Sequence, residues 1–345
     1  MFNHIRMTQR TTQRYRLLLT AALALTVHSC ATAPRAAVSP RAIALQQDVA
    51  YLTTDALGGR ETGTPGSDSA AAFIARRYQG LGLSGAFPRQ DCGSTPSCGR
   101  TYFQFFRIEG SVTQNIVAVV PGTDTLLSGE YVVLGAHYDH LGYSTREAED
   151  PQQLGLRVGV DDNASGTAAV LALAHCFAAH HARRPMLVTN FGAEELGLVG
   201  SRVFVEHPPV PVDSIVAMLN FDMVGRMRGG RLEIRGVGGA PALRSIIERA
   251  NQSPRVGLVM VGNDDVRSDH ASFAAHGVPI LHFFTGYHSD YHRVSDHAER
   301  LNYDGLLLIV DLAEDVAREI ADREPRPCST HNRTTTHASC ALDGQ

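Results

Sequence analysis

The stretch Asn190-Phe191-Gly192-Ala193-Glu194-Glu195-Leu196-Gly197 decides how the rest of the chain is read. An apolar run, Met186–Val188, leads into it, and a segment of helical character, Leu196–Val205, leads out. Two adjacent carboxylates therefore stand where a buried strand ends. In open α/β sheets, ligands gather outside the carboxyl ends of the strands. Neighbouring side chains there point in different directions, so one carboxylate can hold a cation while the other moves a proton. That is a hydrolase arrangement if further metal ligands converge on it. Paired acids at a helix N-terminus also suit the helix dipole without any chemistry, so the neighbouring segments have to decide.

Outward from this stretch, strands alternate with helices. Strands are expected at Tyr102–Arg107, Asn115–Val120, Glu130–Ala136, Met186–Phe191, Ser214–Phe221, Arg231–Arg235, Gly257–Val261 and Val278–Phe284. Helices are expected at Ala42–Leu57, from Ser67 as N-cap through Leu81, and at Ser165–Ala179, Ala240–Asn251, Ser268–Ala275 and Tyr303–Ile320. Ser165–Ala179 is apolar nearly throughout, which predicts burial against a sheet. The alternation implies an α/β single-domain three-layer sandwich with a mixed, largely parallel central sheet. Residues 42–321 hold no boundary that would split them.

The 345 residues carry a net charge of −4, which gives no electrostatic reason to expect nucleic acid. Arg6, Arg10, Arg14 and Arg16 precede an apolar run, Leu17–Val27, in the manner of a secretory signal. The run ends in Val27-His28-Ser29-Cys30-Ala31, similar to a lipoprotein signal with a lipid anchor at Cys30, the alternative being ordinary cleavage near Ala31–Ala36. Residues 1–30 are thus read as a signal peptide, 31–41 as a linker and 322–345 as a disordered tail. The expected location is outside the cytoplasm, in the periplasm or on the outer membrane. Cysteine usage fits an oxidising compartment: Cys92 and Cys98 flank one loop, Cys328 and Cys340 bracket the tail, and each pair could close a local disulfide. Cys176, inside the apolar helix, reads as a buried free thiol.

Metal-capable side chains follow one strand or loop after another. His137-Tyr138-Asp139-His140 follows the strand from Glu130. Asp161-Asp162-Asn163 precedes the buried helix. Glu194 and Glu195 follow Met186–Phe191, Asp222 follows Ser214–Phe221, and His288-Ser289-Asp290-Tyr291-His292 follows the strand from Val278. Imidazoles combined with carboxylates suit zinc, with cobalt or manganese possible at the same ligands.

These segments resemble the co-catalytic zinc aminopeptidase family, whose relatives include glutamate carboxypeptidase and glutaminyl cyclase. The likeness lies in Gly135–Asp139, Gly159–Gly166, Ala193–Gly197, Asn220–Gly225 and Asp290–His292, in the family's order. The resemblance implies two zinc ions, one held by His137 and Asp222, the other by Glu195 and His292, with Asp162 bridging. It implies hydrolysis of N-terminal residues from peptides with a free N-terminus, by a water activated by both metals. Glu194 would be general base and acid. Asp139 would accept a hydrogen bond from the second nitrogen of His137. Tyr291 would donate to the oxyanion, or else pack in the core. His140 is read as pocket-lining or as a loop residue, and His270 as pocket-lining or supporting the ligands. The neighbours His288 and His297 are set aside in favour of His292.

Three other readings stand beside the aminopeptidase. A carboxypeptidase or dipeptidase would recognise a substrate carboxylate with arginine, for which Arg226 and Arg267 are placed. A glutaminyl cyclase would need one zinc and, in its relatives, a tryptophan-built pocket, whereas this chain has no Trp. A non-catalytic binding protein would have lost ligands, and here every ligand position is filled.

Overall fold

The computed structural model describes residues 39–89, 99–253, 255–263 and 267–327. The expectations for Cys30, for both disulfides and for the tail from residue 328 on lie outside the described residues; of the rest of the expected tail, Asp322 still belongs to the last helix. In chain order the strands are β1 (Ser84–Gly85), β2 (Phe87–Pro88), β3 (Arg100–Thr101), β4 (Phe103–Ile108), β5 (Ser111–Val120), β6 (Tyr131–His137), β7 (Met186–Phe191), β8 (Ile215–Phe221), β9 (Arg231–Arg235), β10 (Gly257–Val261) and β11 (Ile280–Phe284). The helices are α1 (Pro40–Leu52), α2 (Pro65–Gly80), α3 (Gly166–Ala179), α4 (Val199–Glu206), α5 (Pro241–Ala250), α6 (His270–Ala274) and α7 (Tyr303–Asp322).

Nine strands form one mixed sheet in the order β1-β5-β7-β6-β8-β11-β9-β10, with β4 paired to β5. The parallel part is its middle: β7, β6, β8 and β11 run the same way. β5 joins β7 antiparallel, and β9 joins β11 antiparallel. The period of two along each strand sorts side chains between the faces. Val132, Leu134 and Ala136 of β6 join the core shared with α1, α2, α3, α5 and α7. Val133, with Leu187 and Met218, joins a second core beneath α4 and α6. Three layers result. In the second core the rings of Phe191, Phe204 and Phe273 stand 5.4–6.0 Å apart. Such aromatic pairs contribute about 0.5–1.5 kcal/mol each beyond their buried area.

α3 is buried on nearly every side because it lies between the sheet and helices α1 and α7. Cys176 within it is buried and free. Most boundaries shift by one to five residues from expectation, and two of the shifts have a visible cause. α1 ends at Leu52 rather than Leu57, where the hydroxyls of Thr53 and Thr54 donate back to Val49 O and Tyr51 O, and a short 3₁₀ turn, Asp55–Arg60, follows. The N-cap of α2 is Thr64, not Ser67: Pro65 presets the first helical position, and Thr64 Oγ1 accepts from Ser67 N at 3.3 Å. No described helix is long and apolar enough to cross a membrane.

Candidate metal centre

The parallel strands all end on one side of the sheet, and there the acids and histidines meet. His137 is the last residue of β6, Asp222 directly follows β8, and Glu194 and Glu195 follow β7 by a short turn. Asp161 and Asp162 precede α3, and His292 lies in the loop beyond β11.

The loop backbone is bent hard to present them. Ala193 (φ 58°), Met223 (φ 53°) and His292 (φ 53°) occupy the left-handed region, which costs on the order of 1–3 kcal/mol for each non-glycine residue. They precede Glu194, follow Asp222, and are the histidine itself. Gly159 has no substitute: a Cβ there would lie 2.1 Å from Asp162 O and 2.2 Å from the His140 ring. Asn163 ties the Asp162 loop to the end of β8. Its Nδ2 donates to Phe221 O at 2.9 Å, and its Oδ1 accepts from Gly166 N at 2.9 Å.

Asp162 stands between two groups. Its Oδ1 is 3.2 Å from His137 Nε2, which is in turn 3.5 Å from Asp222 Oδ1. Its Oδ2 is 3.0 Å from His292 Nε2, which is 3.3 Å from Glu195 Oε2. Donor atoms of His137, Asp162 and Asp222 lie within 4.8 Å of one another, as do those of His140, Asp162, Glu195 and His292. His137 Nε2 and Asp222 Oδ1 are buried and make no hydrogen bond. Such buried, unpaired polar atoms are costly, and a cation among them removes the cost, so the residues present fit a metal. Each imidazole turns its other nitrogen to a backbone carbonyl: His137 Nδ1 to Asp139 O at 3.2 Å, His292 Nδ1 to Glu147 O at 2.7 Å. This leaves Nε2 of both imidazoles turned toward the cluster, free to bind a cation.

Charge follows the same geometry. Burial works to lower the His137 imidazole, but Glu194 and Asp222 override it and hold its pKa well above the ordinary value. Burial likewise opposes His292, yet hydrogen bonds to Asp162 and Glu195 push it up to about 11. Burial would raise Asp162, and His137 and His292 instead hold it well below the carboxylate range. Burial and Asp162 would raise Glu195, but His140 and His292 bring it to about 2. Glu194 goes the other way: burial raises it well above its usual value, against His137 and with Glu195, Asp269 and Asp222.

Several expectations are corrected. The Asp139 carboxylate stands 3.7 Å from His137 Nδ1, an ion-pair distance beyond hydrogen-bond range. Three other donors claim it: Glu194 N (3.1 Å), Glu195 N (3.4 Å) and Thr62 Oγ1 (3.0 Å). Asp139 thus braces the Glu194-Glu195 turn. His140 is no mere loop residue, since its Nδ1 lies 2.7 Å from Glu195 Oε1. His270 is buried on another hollow of the molecule, stacked on His282 at 4.5 Å. Arg226 is committed to Asp290 at 2.5 Å and Asp296 at 3.5 Å, so it faces no substrate. Asp161 turns away from the cluster. It accepts from Gly225 N at 2.7 Å and faces His288 Nε2 at 3.1 Å. His297 is exposed. Tyr291 stacks on His292 with ring centroids 3.8 Å apart and lines the cleft beside Glu194, Asp162 and Asp222. Tyr287 lines it too, from the segment Phe283–His288 that the sequence marks as a pocket wall.

The cleft above the cluster has a volume of about 720 Å³. Arg146, Arg235 and Arg267 border it together with Glu147, Tyr287 and Tyr291.

Asp269 is a fully buried carboxylate whose two oxygens receive no hydrogen bond among the described residues. Burial, opposed by His137 and the nearby Ser201 and reinforced by Asp139 and Asp222, raises it from 3.8 to about 7. A folded-state pKa above the unfolded one stabilises the fold most below pH 3.8, and this contribution is lost as pH rises to about 7. Asp269→Asn is therefore expected to raise the melting temperature of the metal-free protein at pH 8, by roughly 2 °C or more, and to leave it unchanged at pH 3. Calorimetry at both pH values checks this.

Residues 115–317 match the profile of Peptidase family M28. Leupeptin-inactivating enzyme 1 of Streptomyces exfoliatus is 30% identical over 203 residues, 58% of this chain and 42% of that protein. A probable lipoprotein aminopeptidase, LpqL, of Mycobacterium tuberculosis is 32% identical over 186 residues, 49% of this chain and 34% of that one. The chain thus spans less than half the length of these relatives. A Zn-dependent exopeptidase from Parabacteroides distasonis superposes with a TM-score of 0.66 at 18% identity, over 80% of this chain and 97% of that one, a likeness of fold. With more than half of its residues under the family profile, the chain belongs to peptidase family M28.

Proposed function

We propose that the protein is an exported zinc-dependent exopeptidase, an aminopeptidase that removes N-terminal residues from peptides. The observation that carries this reading is the Asp162 carboxylate, with one oxygen toward His137 and Asp222 and the other toward His292 and Glu195. A carboxylate shared in this way offsets the repulsion between paired metals, about 3.5–4 Å apart in two-metal sites. His137, Asp222, Asp162, Glu195 and His292 would hold two zinc ions, and the contact from His140 would orient Glu195. Bound there, zinc supplies an acidified water and polarises the scissile carbonyl.

The chain's own groups do the rest. Glu194, in the cleft and outside the two groups that share Asp162, takes the proton of the attacking water and returns it to the leaving amine. Its raised pKa suits a group that must hold that proton between the two steps. Asp139 fixes Glu194 through its backbone N–H. The Tyr291 hydroxyl remains protonated, because burial and the nearby Asp162 and Glu195 push its pKa up. It is thereby a donor for the oxyanion. The signal-like N-terminus motivates the exported location, with Cys30 as the lipid anchor.

One observation favours a second reading. Arg267 borders both the cleft and the reaction centre, and it has no acidic partner among the described residues. An unpaired guanidinium there would bind a carboxylate, as a dipeptidase or carboxypeptidase requires. Hydrolysis of aminoacyl-anilides, their N-acetylated forms, and dipeptides with free or amidated C-termini separates the two. Zinc-dependent cleavage of the free-amine anilides, abolished by chelation and by acetylation, is expected. Cleavage confined to substrates with a free C-terminal carboxylate would replace the aminopeptidase with the second reading.

A further inference from the structure

Four backbone carbonyls from three segments converge on one guanidinium. Arg60 is fully buried. Its Nε donates to Tyr138 O at 2.6 Å, Nη1 to Leu52 O at 2.6 Å and Val158 O at 2.8 Å, and Nη2 to Gly159 O at 2.8 Å. Tyr138 lies between His137 and Asp139, and Gly159 stands three residues before Asp162. The guanidinium therefore joins the segment that presents His137 to the one that presents Asp162, and fastens both to the end of α1.

The other fully buried arginines are built differently. Arg157 is bonded to Asp150 at 2.5 Å, and Arg184 to Glu130 at 2.7 Å. Arg60 has no carboxylate in bonding range among the described residues. A buried cation without a directly bonded anion costs several kcal/mol by order of magnitude, which charge-assisted bonds to carbonyls offset. The acids of the centre, Asp139, Asp162, Asp296 and Glu195, counter the burial that brings its pKa down to about 10. Arg60 itself is held at φ 59° in the left-handed region. A fork of fixed planar geometry is the property that distinguishes arginine from lysine here.

We infer that Arg60 is a positioning residue, a guanidinium clamp that holds the His137 and Asp162 segments at ligand spacing before metal arrives. The inference rests on the metal-centre reading above. Arg60→Lys tests it, because the positive charge stays while the fork is lost, so any electrostatic effect of the cation on metal binding is preserved. Zinc affinity is measured on metal-stripped protein by competition with a chromophoric chelator, and melting temperature is measured with and without zinc. Arg60→Lys is expected to bind zinc at least about tenfold more weakly, the lower end for residues that orient metal ligands. Saturating zinc should restore kcat with KM little changed. Ile247→Ala, in the buried face of α5, controls for general destabilisation and should bind zinc as the parent does. A lower melting temperature with zinc affinity within about twofold of the parent would overturn the clamp. So would a variant that is unfolded with and without zinc. If the parent binds no zinc, the metal reading fails and the clamp with it, a result distinguishable from the loss of the clamp alone.

Discussion

Glu194→Gln is expected to keep the parental metal content and to lower kcat by about 10²–10⁴-fold, the range that general acid–base catalysis contributes. The carboxylates of Glu194 and Glu195 both lie within 4.8 Å of His137, and what separates them is which one joins Asp162. Glu195 directs one oxygen to His292 and the other to His140. Glu194 belongs to neither group that shares Asp162, and it borders the cleft with Tyr287 and Tyr291. Their ionisation differs in the same sense, with Glu195 brought to about 2 and Glu194 raised well above the usual range by burial and neighbouring acids. A carboxylate held ionised by two imidazoles is suited to hold a cation. One that holds a proton readily can take it from water and release it to an amine. Glutamine keeps the size and loses that capacity, so KM and zinc stoichiometry should stay near the parental values while turnover collapses. Elemental analysis beside steady-state kinetics checks both at once. If Glu194→Gln lost metal and Glu195→Gln retained it, the two roles would be exchanged.

Much of this centre was legible in the sequence because strand ends and ligand types are local features. Met186–Phe191 and Arg231–Arg235 have the same limits as expected from their apolar and alternating residues. The five expected metal-facing residues do converge. What the sequence could not display were contacts across long separations. The partner of His292 Nδ1 is the carbonyl of Glu147, 145 residues away, and a backbone carbonyl has no residue type by which to recognise it. Asp139 shows the same limit. Its position two residues after His137 suggested a bond to that ring, but the donors that claim it are backbone N–H groups of the next strand's turn. Arg226 and Arg267 were equivalent as charges in a sequence. Only packing distinguishes them, one enclosed by Asp290 and Asp296, the other bordering the cleft. Arg60 lies in a glycine-rich loop without periodicity, Leu57–Gly66, whose weaker likeness to the family gives no sign of a side chain reaching Tyr138 and Gly159.

Asp162→Asn is expected to weaken zinc binding by at least about 100-fold and to leave purified protein with less than one metal per chain. The lower bound follows because even residues that merely support ligands cost 10–100-fold when replaced, and this side chain is read as a ligand to both metals. An amide removes one of the three ligand carboxylate charges, which include Glu195 and Asp222, and puts an N–H where one of the two oxygens faced an imidazole. The same change at the adjacent acid discriminates between the two aspartates. Asp161 spends its carboxylate on Gly225 N, Ser165 Oγ and His288. Asp161→Asn should therefore lower the melting temperature while metal content stays near parental. Metal analysis and circular dichroism of both variants test the pair together. Retention of two metals in Asp162→Asn, with loss in Asp161→Asn, would move the bridge to Asp161. Retention in both would show that His137, Asp222, Glu195 and His292 hold the ions without a shared carboxylate, and the two-metal reading would then lose the observation on which it stands.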